Sequence, residues 1–315
     1  MPKINQFISS APANTLLMGE HSVVYGQPAL VVALPPRIKI HWQARDDQII
    51  EIQSSLAHYR NPLSQLDDHP QLRFVLAALR LFQPQLTTGW TLKIDSEFPS
   101  DWGLGSSAAV LAACLVALEK ITHQDSNLPN LSLWQRFRLG HQIIQQVQGR
   151  GSGADLAASL AGGGVLFDPS QQLIEPLGIT HPLCLVYSGY KTPTPEVLAW
   201  VAEQWQHRPD QLNSLYQAMG DTTRQAYQAL KQNNWTQFYS QVDHYQGLMQ
   251  QLGVSDPTLE QIHQQLKRSL PAAKISGSGL GDCVLGFGHI NHQINHPLLN
   301  TEISHSGAYC QAVQA

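Results

Sequence analysis

The chain has 315 residues and a formal net charge of −4, with 43% hydrophobic and 13% charged residues. That length and balance fit a folded globular protein of about two domains and argue against disorder. No strongly basic stretch supports nucleic-acid binding. The longest unbroken apolar run, Ala108 to Leu118, is far short of the ~20 residues that span a bilayer, so no membrane partner is expected. The opening Met-Pro-Lys-Ile-Asn-Gln-Phe lacks the apolar core of a signal peptide, which predicts a cytoplasmic location. Cys114, Cys184, Cys283 and Cys310 are scattered, with no Cys-x-x-Cys pair, which disfavours zinc ligation and a disulfide framework.

In chain order, Val23 to Val32 and Arg37 to Trp42 read as strands broken at Pro35-Pro36. Gln48 to Gln53 and Trp90 to Ile94 read likewise, and His69 to Leu81 has helical spacing. Ala108 to Lys120 reads as a buried helix. Leu131 to Gln148 reads as a helix with Ser132 as N-cap, Gln135 completing a capping box and Gly149 as C-cap. Gly164 to Phe167 and Pro182 to Tyr187 read as strands. Pro195 to Gln206, Gln211 to Lys231, Trp235 to Leu252 and Pro257 to Leu270 read as helices. Ala273 to Ser276, Cys283 to Phe287 and Ala308 to Val313 close the chain as strands. A strand-rich first half and a helix-rich second half predict a two-domain α+β protein, divided into residues 1–169 and 170–315.

Three glycine-rich stretches carry candidate chemistry. Gly103-Leu104-Gly105-Ser106-Ser107-Ala108 joins a tight turn to the start of an apolar helix. Free backbone N–H groups and the positive end of a helix dipole suit a phosphate at such a place. The same pattern equally serves to cap a core helix. Gly149-Arg-Gly-Ser-Gly-Ala-Asp155 enters another helix, where Asp155 is either a placed carboxylate or an N-cap for a helix from Leu156. Gly277-Ser278-Gly279-Leu280-Gly281 allows close approach to a ligand, or marks a tight hairpin. No Walker sequence Gly-x-x-x-x-Gly-Lys-Ser/Thr occurs.

With Gly19-Glu-His-Ser-Val-Val-Tyr-Gly-Gln-Pro-Ala-Leu30 near the N-terminus, these stretches resemble the signature segments of the GHMP kinase superfamily, in the expected order. The first segment is most similar to that of mevalonate kinases. The resemblance implies a two-domain fold, with an N-terminal ribosomal-S5-like α/β domain and a C-terminal helix-rich, ferredoxin-like α+β domain. ATP and a small-molecule acceptor would bind in the cleft between them, with Mg2+ as cofactor. It implies phosphorylation of the primary hydroxyl of mevalonate, with phosphomevalonate as the alternative acceptor and a non-catalytic ligand sensor as the alternative of another class. A homodimer is common among such proteins.

By the same resemblance, Gly103, Leu104, Gly105, Ser106, Ser107 and Ala108 cradle the ATP phosphates. Asp155 orients or deprotonates the acceptor hydroxyl, and Ser107 with Glu20 holds the metal. Glu20, His21, Thr192, Thr194, Gly277, Ser278 and Gly279 surround the acceptor, although a lone histidine such as His21 is as often structural. Three departures stand out. Asn14 occupies the place of a lysine that stabilises the transferring phosphoryl group, with Lys191 or Arg150 as candidate substitutes. Ile144 and Gln145 stand where a metal-ligating glutamate is usual. Asp101 and Trp102 precede the cradle, where phosphomevalonate kinases tend to carry a lysine. The stretch Gln148 to Ala157 and the Gly281-Asp-Cys283 ending, in turn, resemble phosphomevalonate kinases.

Overall fold

The computed structural model describes residues 5–123 and 129–313, so the first four residues of the stretch read for a leader lie outside it. The chain opens on two long strands, β1 (Gln6–Met18) and β2 (Ala29–Ala44), joined through a 3-10 turn at Ser22–Tyr25. The hairpin β3 (Ile49–Ser54) and β4 (His58–Pro62) follows, then α1 (Arg73–Phe82) and β5 (Trp90–Ser96). Three helices come next, α2 (Ser106–Thr122), α3 (Leu133–Gln148) and α4 (Ala154–Ala161), and then β6 (Gly164–Asp168) and β7 (Leu173–Leu177). All these strands belong to one sheet, ordered β1-β2-β5-β3-β4 with β6 on β2 and β7 on β6. Pairing is antiparallel except between β3 and β5.

The second unit begins at β8 (Pro182–Tyr187) and continues through α5 (Thr194–Gln204), α6 (Pro209–Lys231), α7 (Trp235–Leu252) and α8 (Pro257–Lys267). It ends with β9 (Ala273–Ser276), β10 (Cys283–Phe287) and β11 (Leu298–Glu302), in an antiparallel sheet ordered β11-β8-β10-β9. The last strand, β12 (Tyr309–Ala312), returns to the first sheet and pairs with β1. The architecture is the expected α+β arrangement of two units. The division at 169/170 does not follow the sheets, because β7 and β12 both lie beyond it and belong to the first one.

The sequence expectation fails most clearly between residues 22 and 44. Ser22–Tyr25 is a 3-10 turn rather than the start of a strand, and Pro35-Pro36 does not break β2. The two prolines form a bulge: Ala13 pairs with Leu34 while Pro12 pairs with Arg37. Proline lacks a ladder N–H, so it costs least where register already slips. At that bulge β2 exchanges neighbours, pairing with β6 before it and with β5 after it.

β1 carries Ser9, Ser10, Asn14 and Thr15 as buried residues, which hides its strand character from a hydrophobic pattern. Each is satisfied locally. Trp42 Nε1 donates to Ser9 Oγ, Ser10 donates to the Ile38 carbonyl, Asn14 Nδ2 donates to Ser159 Oγ, and Thr15 and Ser276 share a hydroxyl contact of 2.7 Å.

The capping box on α3 forms as read, with Ser132 accepting from Gln135 N and the Gln135 side chain accepting from Ser132 N. Among the described residues no helix is long and apolar enough to cross a membrane.

Candidate active site

A cavity of about 640 Å³ opens where the two units meet. Its floor is the N-terminal turn of α2. Gly103 and Gly105 both hold φ of +68°, and Gly105 is itself the N-cap. No side chain caps this helix, and Ser106 and Ser107 stand in its first turn, where orphan N–H groups lie, and line the cavity. Gly103, Gly105, Ser106, Ser107 and Ala108 all line the space. Leu104 does not. It is 2% exposed and packs into the core, and its carbonyl accepts from Asn14 N.

Asp155 lines the same cavity from the first turn of α4, whose N-cap is Gly153, so Asp155 is not a capping residue. The 149–153 turn that delivers it is pinned by His141 and Gln145, whose ring and amide nitrogens both donate to the Gly151 carbonyl at 2.9 Å. Gln145 is thereby committed to holding the turn, and its neighbour Ile144 adds an apolar wall. Burial, opposed by Lys191 and reinforced by Asp282, raises the Asp155 carboxyl to about 6.

Lys191 lies across the cavity on the loop between β8 and α5, and its Nζ is 3.4 Å from Asp282 Oδ1. Asp282 was not among the expected site residues. Its signal in the sequence is a carboxylate ending a glycine turn. It adopts φ of +64°, and its side chain fills the space that a Cβ at Gly103 or Gly277 would occupy, approaching 2.9 Å from each. Burial raises its carboxyl and Lys191 draws it back down.

The first signature segment sits on the second unit. Tyr245 on α7 accepts from Gly19 N at 2.9 Å and donates to the Glu20 carbonyl at 3.1 Å. Glu20 Oε1 meets Lys274 Nζ at 2.5 Å, with both side chains essentially inaccessible at 1% and 0% exposure. Glu20 also belongs to the cavity wall, and the Gly277 backbone adds to the hold on its carboxylate. Burial, the largest influence, raises the Glu20 carboxyl and lowers the Lys274 ammonium, and their mutual attraction opposes both shifts. His21 holds φ of +60° and donates from Nε2 to the Ser278 carbonyl at 2.7 Å, leaving Nδ1 unpartnered in the wall. Burial lowers its pKa, which favours the neutral ring.

The remaining expected residues divide. Gly277, Ser278 and Thr194 line the cavity. The Gly277–Gly281 turn is the hairpin between β9 and β10, and it stands at the edge of the cavity. Gly279 turns away, and a Cβ there would collide with the Val254 carbonyl. Thr192 lies outside the lining, since its hydroxyl donates to the Leu280 carbonyl at 2.5 Å. Asn14 is sealed at 1% exposure, donating to Ser159 and filling the space beside Gly105. Arg73 and Arg150 supply the cavity's other cations, and Arg150 Nη2 donates to the Pro195 carbonyl at 2.9 Å.

Two family models match the chain: GHMP kinases N terminal domain over residues 73–163, and GHMP kinases C terminal over residues 226–292. A mevalonate kinase of Archaeoglobus fulgidus is 31% identical over 284 residues, covering 89% of this chain and 92% of that one. The chain belongs to the GHMP kinase family. A mevalonate kinase of Pyrococcus horikoshii is 28% identical over 302 residues, with 89% and 88% covered. The GHMP kinase fold extends to solved structures. A Lin0012 protein from Listeria innocua superposes with a TM-score of 0.85 at 19% identity, covering 98% of this chain and 99% of its own. The L. major mevalonate kinase in complex with R-mevalonate superposes at 0.74 and 21%, with 95% and 96% covered.

Proposed function

We propose that this chain transfers the terminal phosphoryl group of ATP to the primary hydroxyl of mevalonate. The observation that carries the reading is that one cavity is lined at once by an uncapped helix N-terminus and by a carboxylate whose pKa is raised to about 6. Phosphoryl transfer needs those two groups within reach of each other, with positive charge nearby. The choice of mevalonate rests on the relatives that carry that name.

The α2 N-terminus binds the phosphates through backbone N–H groups and the Ser106 hydroxyl. Asp155 accepts the proton of the acceptor hydroxyl. A base with a pKa near 6 is a stronger acceptor than an ordinary aspartate, yet ionised at neutral pH. Lys191 supplies positive charge to the transferring group. His21, Ser278 and Thr194 surround the acceptor.

When magnesium is bound, it would supply positive charge that neutralises the nucleotide phosphates. The residues present fit it: Ser107 lines the cavity and would offer its hydroxyl, Glu20 stands in the same wall with Oε1 on Lys274, and magnesium takes few protein oxygens beside phosphates and water. Among the described residues no cluster of three or more His, Cys, Asp or Glu side chains competes with that arrangement.

The test is ADP release from magnesium-ATP with mevalonate, phosphomevalonate or galactose as acceptor, using Asp155→Ala as control. Turnover with mevalonate, falling at least about 100-fold in the variant, is expected. Turnover with phosphomevalonate alone moves the assignment to that acceptor. ATP binding without turnover on any of the three identifies a ligand sensor.

A further inference from the structure

We propose that Asp282 is a positioning residue: by holding the Lys191 ammonium in the cavity that Asp155 lines, it furnishes at the reaction centre the cation that Asn14 does not. The inference rests on the kinase reading above and deepens it.

Three observations converge. The first is how Lys191 is held. Lys191 is a long, flexible side chain at 34% exposure, while the Asp282 side chain is fixed at 5%, so the carboxylate is the anchor. The backbone repeats the constraint on both sides of the lysine. Ser188 N donates to the Asp282 carbonyl at 2.9 Å, Asp282 N donates to the Tyr190 carbonyl at 2.9 Å, and Thr192 donates to the Leu280 carbonyl at 2.5 Å. The β8–α5 loop and the β9–β10 turn are therefore clamped together around one ion pair.

The second observation is that Asp282 is a poor residue for stability where it stands. A non-glycine side chain at φ of +64° is strained, and its Oδ1 is buried with no hydrogen-bond donor besides the ammonium contact. Glycine would fit the backbone better. Strain of this kind persists where function requires the side chain.

The third observation concerns the alternatives. Asn14 is sealed beneath Gly105 and reaches nothing in the cavity. Lys274 is matched to Glu20 and is fully buried. Arg150 is engaged with Pro195. Arg73 on α1 lies over the Phe74 ring, 5.5 Å from its centroid. The titratable groups facing the pair are Asp155 on α4, Asp101 before the phosphate turn, Tyr187 on β8 and Cys283 on β10, with Glu20 and His21 in the same cavity wall. Lys191 is the cation that acts on Asp155 electrostatically, and Asp282 is the anion that opposes it.

The experiment compares the full-length chain with Asp282→Gly, Asp282→Asn, Lys191→Met and the Lys191→Met/Asp282→Gly double variant. The Gly variant is chosen because it relieves the strained backbone, so its melting temperature is expected to hold or rise. Its kcat is nevertheless expected to fall about 10- to 100-fold, with the KM for ATP changed less than about threefold. Asp282→Asn, which keeps the shape without the charge, is expected to follow it. The double variant is expected to be no worse than Lys191→Met alone, because the two residues act as one unit. The acid limb of kcat/KM is expected to move to lower pH in Asp282→Gly, since Asp155 loses a neighbouring negative charge.

Reductive methylation supplies a readout without turnover: Lys191 is expected to react at least about fivefold faster in Asp282→Gly than in the parent, relative to exposed lysines. A folded Asp282→Gly with kcat within about twofold of the parent overturns the proposal. So does a double variant that loses the product of the two single losses, or unchanged Lys191 methylation. A parent chain without turnover on any acceptor overturns the kinase reading instead, and the methylation rates still decide whether Asp282 holds Lys191.

Discussion

The role proposed for Asp155 sets two demands that conflict. As a useful base its carboxyl would have to lie deep, and that depth disfavours its charged form. The folded value of about 6 lies above the ordinary 3.8 of an unfolded chain. Between those values the folded state holds a proton that the unfolded state has lost, so stability falls as pH rises through this window and stays lower above it. The effect is at most about 3 kcal/mol and is reduced by the partial accessibility of the residue. Asp155→Asn is therefore expected to be about 1–3 kcal/mol more stable than the parent at pH 7.5 and equal to it near pH 4, as read by urea unfolding. An identical difference at both pH values sinks this account. The residue was legible in the sequence because a carboxylate entering a helix behind a run of glycines is a local pattern, complete between Gly149 and Asp155. Asp282 and Lys274 were not. Their importance comes from partners far along the chain, Lys191 and Glu20, that no local spacing reveals.

At the scale of elements, most helices and the later strands could be read from periodicity and caps, and the α3 capping box formed with both of its hydrogen bonds. The strands that escaped were β1, β4, β7 and β11. β1 failed because its buried positions include Ser9, Ser10, Asn14 and Thr15, each offset by a specific hydrogen bond rather than by apolar burial. Asn14 shows what such a residue does for its neighbours. It ties β1 to α4 through Ser159, and to the Gly103–Gly105 turn through its N–H to the Leu104 carbonyl. A Cβ on Gly105 would collide with its amide. Asn14→Lys, which places there the lysine that the family resemblance implies, is accordingly expected to fail. A longer side chain must displace the turn, and its ammonium would be buried without a partner. Calorimetry should show a lower melting temperature, and nucleotide titration a weaker ATP affinity. A variant that melts as the parent does and turns over faster would show instead that the turn can yield.

The whole molecule is less divisible than its two sheets imply. The 3-10 turn at Ser22–Tyr25 rests on α6, where Tyr25 and Tyr216 stack with centroids 4.4 Å apart, and Tyr245 grips the residues just before it. In the opposite direction, β12 leaves the second unit to pair with β1 from Phe7 to Ser10. The Lys120 ammonium on α2 also donates to the Cys310 carbonyl at 3.2 Å. The sequence showed the strand at 308–313 but not its destination, because pairing across the full chain has no local signature. A chain ending at Gly307 leaves the outer edge of β1 unpaired. It is expected to melt several degrees lower and to aggregate on heating, as followed by light scattering. Unchanged melting would mean that α2 alone secures the edge.

That pairing also sets a schedule for synthesis. A ribosome that has made Gln6 must add some three hundred further residues before Tyr309 exists to complete the first sheet. At about 5–20 residues per second, that is an interval of about 15–60 s. Throughout it, the nascent first unit offers one long strand with a bare edge to every neighbouring polypeptide. The edge of β1 thus stays open throughout synthesis of the preceding chain, and slower elongation lengthens the exposure.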